Sequence, residues 1–132
     1  MKRILLTEIF FIGILVAVLN KIGISLSLYV TIWWFDIPMH FLGGTLIALI
    51  TLFVIYDSKF FNFSVKKPVV IFAAAVGITL IIGLSWELWE LYMGFIDIYQ
   101  DQIDTMADLF NDLLGATAVY LYSKNKICQK EN

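Results

Sequence analysis

Cysteine is nearly absent: a single thiol, Cys128, lies in a polar tail. One cysteine excludes an internal disulfide and a cysteine metal site, and it reads as incidental. Charge is also scarce. Charged residues make up 15% of the chain and apolar residues 61%, whereas a soluble domain carries about 25% and about 45–50%. The net charge of −2 gives no basic excess, so nucleic acid is not an expected partner. No internal repeat or low-complexity tract is present. What remains is apolar: the mean hydropathy is +0.86, so most side chains must face lipid or other helices. The 132 residues suffice for one compact domain, and 1–132 is read as a single integral membrane domain.

Lys2 and Arg3 precede an apolar run and imitate a secretory signal. A signal ends in small residues at a cleavage site. Here Ala17 is followed by Val18, Leu19, Asn20 and Lys21, so the run is expected to be an uncleaved first helix. A spanning helix needs about 20 mostly apolar residues. The runs that meet this are about 4–19, 39–56, 69–93 and 105–122. The stretch Ile22–Phe35 is apolar but shorter, and it carries Ser25, Ser27, Tyr29, Trp33 and Trp34. Tyr and Trp favour the membrane–water interface. The stretch is therefore an interfacial or re-entrant segment, or an extension of a tilted first helix.

Basic residues set the orientation, because short cytoplasmic loops collect Lys and Arg. Lys2 and Arg3 begin the chain, Lys59, Lys66 and Lys67 lie between the second and third runs, and Lys124, Lys126 and Lys130 end it. All of these share one side only if Ile22–Phe35 does not cross, which leaves Lys21 alone outside. The expected fold class is thus all-α: a polytopic membrane helical bundle of four transmembrane helices plus a short interfacial or re-entrant segment. It is expected in the cell membrane, multi-pass, with both termini cytoplasmic and membrane lipids around it. Trp33, Trp34, Trp86, Trp89, Tyr92 and Tyr99 form an outer aromatic belt on this reading.

Charged groups inside a bilayer are costly and usually functional. Three groups occur: Asp36 with His40; Glu87 with Glu90; and Asp104, Asp108, Asn111 and Asp112. Side chains three or four apart share a helix face. At about 100° per residue, Asp104, Asp108, Asn111 and Gly115 stay within about 60° of one another, with Asp112 at the edge of that stripe. Glu87 and Glu90 are similarly placed, with Gly83 and Gly94 on the same side, where glycine lets helices approach closely. Asp36 and His40 share a face only if their helix starts before Pro38, and proline is tolerated in a first turn. In the four-span arrangement all three groups reach the same, extracytoplasmic, level.

So many carboxylates cannot all stay ionised and unpaired in a low-dielectric site. Either several are protonated or a cation binds among them. Oxygen-rich sites with one imidazole suit Mg²⁺, Mn²⁺ or Ca²⁺, with Zn²⁺ an alternative. The candidate metal ligands are Asp36, His40, Glu90, Asp104, Asp108 and Asn111. The candidate catalytic groups are His40, Glu87 and Glu90. Each has a plainer reading. Asp36 and Asp104 suit helix N-caps, His40 suits a structural hydrogen bond, and Glu87 and Glu90 can reach the interface. Glu8 is expected at the cytoplasmic interface, and Asp97 and Asp101 are expected to be solvated loop charges.

These residues resemble the YjdF-like family of bacterial inner-membrane proteins. The resemblance rests on Asp36, His40-Phe41 and Gly43, then Glu87 and Glu90, then Asp104, Asp108 and Leu114-Gly115, in that order over about residues 33–118. The same order is more loosely similar to VanZ-like membrane proteins. The resemblance implies a membrane location and these site residues, and it names no reaction.

Three functions are compatible with the residues. The first is a metal-dependent enzyme acting on a lipid or lipid-linked substrate, in which the ion polarises a phosphoryl or carbonyl oxygen and activates water. The second is cation or proton binding or transport, for which an oligomer can supply a pore. The third is a structural or accessory protein whose polar network locks the helices together.

Overall fold

The computed structural model of the protein describes residues 2–57, 68–94 and 102–128. It consists of α1 (Lys2–Ser25), the short α2 (Leu28–Thr31), α3 (Asp36–Asp57), α4 (Pro68–Met93) and α5 (Gln102–Cys128), with no strand among the described residues. Lys59, Lys66, Lys67, Asp97, Tyr99, Asp101 and Lys130 lie outside the described residues.

Three helices are long and apolar enough to cross a membrane, over Leu5–Ser25, Asp36–Tyr56 and Pro68–Met93. The run expected over 105–122 also forms a helix. At 27 residues α5 is long enough, since a helix rises about 1.5 Å per residue. It is not apolar enough to join the other three, because Asp104, Asp108, Asn111 and Asp112 stand on it.

The stretch Ile22–Phe35 does not form a separate long helix. Its first residues finish α1. Ser27 then takes a left-handed conformation at φ 53°, and its carbonyl accepts hydrogen bonds from the Val30 and Thr31 amides and from the Thr31 hydroxyl. This turn folds α2 back on the end of α1. Tyr29 donates its hydroxyl to Asn20 Oδ1 at 2.8 Å and meets Phe35 edge-on at 5.0 Å. Both rings sit over Gly23, where a Cβ would lie 2.6 Å from Phe35 and 2.8 Å from Tyr29.

Proline starts two of the helices. α3 begins at Asp36 with Pro38 in its first turn, and α4 begins at Pro68. The amide missing from each proline has no intrahelical acceptor at that position anyway. Because α3 starts before Pro38, Asp36 and His40 fall one turn apart on one face. α4 stops at Gly94, which adopts φ 75°, the left-handed conformation that commonly ends a helix. Gly94 was expected to be a packing glycine beside Glu87 and Glu90. It instead faces open space, with nothing within 4 Å of where its Cβ would be.

α3 is the centre of the bundle and touches α1, α4 and α5, while α4 also packs on α5. The buried stripe of α4 shows how the interior changes along its length. It recurs every fourth residue: Ile71, Ala75, Thr79, Gly83, Glu87. Its first half meets Leu49, Leu52, Ala116 and Val119 in the apolar core. Its second half enters a polar zone with His40, Asp108 and Asp112, all buried. The outward faces carry many exposed apolar side chains, among them Phe10, Phe11, Val30, Ile81 and Leu88, as expected where hydrocarbon is the solvent. Three hydroxyls turn back on their own helices: buried Thr51 donates to the Ile47 carbonyl, exposed Ser85 to Ile81 and part-buried Thr117 to Leu113. Such bonds satisfy a polar group where no water is available.

Candidate metal centre

The polar zone is built on a close approach of α3 and α5. Gly44 and Gly115 permit it. A Cβ at Gly44 would overlap the backbone of Asp112, and one at Gly115 would overlap the Phe41 carbonyl. The obstructing atoms are backbone and cannot rotate aside. Small residues at such contacts are what brings apolar helices into register in lipid. From α4, Gly83 opens a third side, since a Cβ there would lie 2.5 Å from Asp112 Oδ2 and 3.1 Å from a Leu109 methyl.

This approach places His40 against two carboxylates of α5 and one of its own helix. His40 Nε2 is 3.7 Å from Asp36 Oδ1 and 3.9 Å from Asp108 Oδ2. The ligand atoms of Asp36, His40 and Asp108 all lie within 4.8 Å of one another, so the three could hold a metal ion. Both Nε2 separations exceed the range of a hydrogen bond, which ends near 3.2 Å. A tetrahedral ion with bonds of about 2.0–2.2 Å holds its ligand atoms about 3.3–3.6 Å apart. His40 Nε2 is within a few tenths of an ångström of that spacing from both carboxylates, and the third separation of the triad, within 4.8 Å, would have to close by up to about an ångström to grip one.

The other face of the imidazole is also engaged, with Nδ1 3.5 Å from Asp112 Oδ2. A metal-binding histidine almost always gives its second nitrogen to such an acceptor, which fixes the ring and raises its basicity. Two buried carboxylate oxygens nearby, Asp108 Oδ1 and Glu87 Oε1, have no hydrogen-bond partner among the described residues. Asp108 is only 4% exposed, so bulk solvent does not reach it. Buried oxygen acceptors without a donor are uncommon, and two beside an imidazole with three carboxylates make a site suited to a cation.

The sequence candidates divide accordingly. Asp36, His40 and Asp108 come together. Glu87 is buried on α4 within electrostatic reach of His40, Asp36 and Asp112, and its carboxylate takes a hydrogen bond from Thr105 of α5. Glu90 is half-buried, hydrogen-bonded to the Trp86 side chain and outside the triad. Asp104 is exposed in the first turn of α5. Asn111 turns its amide back to the Ala107 carbonyl at 2.8 Å. The residue that sequence reasoning left at the margin is Asp112. It sits four residues after Asp108, and that repeat was a usable signal. Gly83, expected as a close-approach glycine on the face of Glu87, does pack against Asp112, and the structure also brings in Thr105 and Gly44, for which spacing along one helix carries no signal.

At the far end of the bundle, Glu8 accepts a hydrogen bond from the Tyr122 hydroxyl at 2.6 Å, which ties α1 to α5. The aromatic side chains Trp33, Trp34, Trp86, Trp89 and Tyr92 are exposed near the helix ends that carry the polar zone, with the Trp86 and Trp89 rings 5.0 Å apart and tilted by 39°.

No curated protein and no solved structure matches the chain. A family model described as "Predicted membrane protein (DUF2238)" matches residues 1–126. That description supplies a membrane location and no activity, and it does not single out the YjdF-like or VanZ-like resemblance. With nearly its whole length matched, and with three helices able to cross a bilayer, the chain belongs to this DUF2238 family of membrane proteins.

Proposed function

We propose that this four-span protein binds one divalent cation on Asp36, His40 and Asp108 and uses it to hydrolyse a phosphoryl or acyl bond of a lipid-linked substrate at the extracytoplasmic face. The observation that carries this reading is His40 itself. Its Nε2 faces two carboxylates at separations too long for hydrogen bonds, while its Nδ1 is engaged by a third.

A bound ion would supply Lewis acidity and make water a better nucleophile near neutral pH. The residues do the rest. Asp112 holds the imidazole, so His40 serves as a ligand and not as a base. Glu87, with a free buried oxygen, is placed to take the proton as the water oxygen attacks phosphorus or carbonyl carbon. The proton then passes to the leaving oxygen as its bond breaks. Thr105 orients Glu87 from α5. Mg²⁺, Mn²⁺, Ca²⁺ and Zn²⁺ all suit such ligands, and the imidazole favours Mn²⁺ or Zn²⁺ over the others. All ligands come from one chain, so a homo-oligomer is not needed to complete the site.

Removing a positioned general base costs about 10²–10⁴-fold in rate. Glu87→Gln should therefore retain metal and lose turnover of a polyprenyl phosphate or phospholipid by that factor. Undiminished turnover in the variant would remove Glu87 from the chemistry. Cation flux into liposomes, in place of turnover, would move the protein to the transport class.

A structural reading is favoured by one observation, the seating of Asp112 between Gly44, Gly83 and His40, which locks three helices without needing an ion. It predicts the same packing and no metal.

The fourth crossing and the orientation rest on the basic residues and on the length of α5. α5 then crosses with its polar face turned inward, where ionisable groups in membrane helices belong. Cys128 and a cysteine introduced at Asn62 should both resist an impermeant thiol reagent in intact cells and react after permeabilisation. Labelling of either one in intact cells contradicts this topology.

A further inference from the structure

α1 leans on α3 and makes hardly any contact with α5, and the gap between them is an open groove of about 300 Å³. Phe41, Thr45 and Leu49, successive turns of α3, form its floor, with Ile12 of α1 and Ala118 of α5 in its walls. The groove starts at Phe41, one residue beyond His40 and about 100° round α3 from it, and runs along the helix axis towards the middle of the bundle. It ends where the Tyr122 hydroxyl bonds Glu8 across the gap at 2.6 Å. From Phe41 to Leu49 its length is about 12 Å, at 1.5 Å of rise per residue.

The dimensions select the occupant. The volume spread over that length gives a mean cross-section of about 25 Å². A packed α-helix is about 10–12 Å across with its side chains, several times that area, so only individual side chains of a second copy's helix could enter, whereas one polymethylene chain can lie along the whole length. Its floor and one wall belong to helices able to cross a membrane, so the groove opens sideways onto hydrocarbon and lies parallel to lipid tails.

We propose that this groove is a subsite for a single hydrocarbon chain of a bilayer lipid, lying along α3 with the chain's polar end at the Asp36–His40–Asp108 triad. The chain makes apolar contact with Phe41, Leu49 and Ile12, and the Tyr122–Glu8 bond limits its depth. Only the assignment of its polar end rests on the metal-centre reading; the chain subsite stands on the shape of the groove.

The test uses the full-length protein in nanodiscs of dioleoylphosphatidylglycerol doped with an analogue bearing a diazirine midway along one acyl chain. After photolysis, adducts mapped by mass spectrometry should concentrate several-fold at Ile12, Leu49 and Ala118 over Phe10 and Ile81, which are exposed elsewhere on the bundle. Ala118 is itself exposed, so Ala118→Trp fills the groove without entering the core. It should reduce the groove adducts several-fold and leave those at Ile81 unchanged, and Ala118→Leu should give a smaller reduction. Asp108→Asn, which removes a proposed metal ligand, should leave groove labelling intact, so a failed metal reading and a failed groove reading give different results. Adducts spread evenly over all lipid-facing residues, labelling indifferent to Ala118→Trp, or cross-links to a second copy within the groove would overturn the proposal.

Discussion

Valine in place of Gly44 is expected to prevent α3 and α5 from packing. A Cβ at this position already overlaps the Asp112 backbone, and valine adds two methyl groups. Overpacking a well-filled interior costs about 1–3 kcal/mol when side chains can shift. Here the obstruction is main chain, so relief requires the two helices to separate. The cost should be about 3 kcal/mol or more, a large share of the about 5–15 kcal/mol by which folded domains are stable. Because α3 carries Asp36 and His40 while α5 carries Asp108 and Asp112, separation also takes the polar site apart. In detergent the variant should show a lower apparent unfolding midpoint and a lower monodisperse yield. Gly77→Ala is the control, since nothing lies within 4 Å of a Cβ there. It should be neutral or slightly stabilising, because alanine is the better helix former. A Gly44→Val protein as stable as wild type would show that α3 and α5 are not in contact at this point.

The elements of the bundle were legible because each rests on local signals. Runs of apolar residues gave the helices to within a few residues at several ends, and Pro38 and Pro68 mark starts that proline favours. The spacing of Asp36 to His40 and of Asp108 to Asp112 declared two polar faces within single helices. How those faces meet was only partly legible, because that depends on which helices approach most closely. Gly44 and Gly115 decide it; Gly115 lay on the polar stripe of α5, but Gly44 in sequence resembles Gly77, where a Cβ would meet nothing, and Gly94, which ends a helix. Asn111 lay on the right stripe by angle, but its short amide reaches its own Ala107 carbonyl first. Asp104 shares the stripe too, but at the exposed first turn of α5. Glu90 is on the same side of α4 as Glu87 and one turn nearer the helix end, where Trp86 engages it. The groove beside α1 was not legible at all, since it is a place where two helices fail to touch.

Loss of metal binding on substitution of His40 or Asp108 is the second large effect. A ligand that binds only the folded state adds about 2.7 kcal/mol of stability at a hundred times its dissociation constant. Adding Mn²⁺ or Zn²⁺ to metal-free protein should therefore raise the apparent thermal midpoint, and a chelator should reverse the rise. His40→Ala and Asp108→Asn should abolish the response. Asp112→Ala should weaken binding by about 10–100-fold, the usual cost of losing the group that orients a metal-bound histidine. Asp104→Ala, at an exposed position outside the triad, should leave the response nearly intact. In a purely structural network the same changes act differently. Asp108→Asn would relieve carboxylate repulsion with no metal response to lose.

The most direct measurement is the metal content of the purified protein, determined by elemental mass spectrometry after equilibration with Mn²⁺ and with Zn²⁺, wild type beside Asp108→Asn and His40→Ala. The account predicts one tightly held ion per chain in the wild type and none in either variant. Wild-type protein that retains no ion, or variants that retain as much as the wild type, would contradict it.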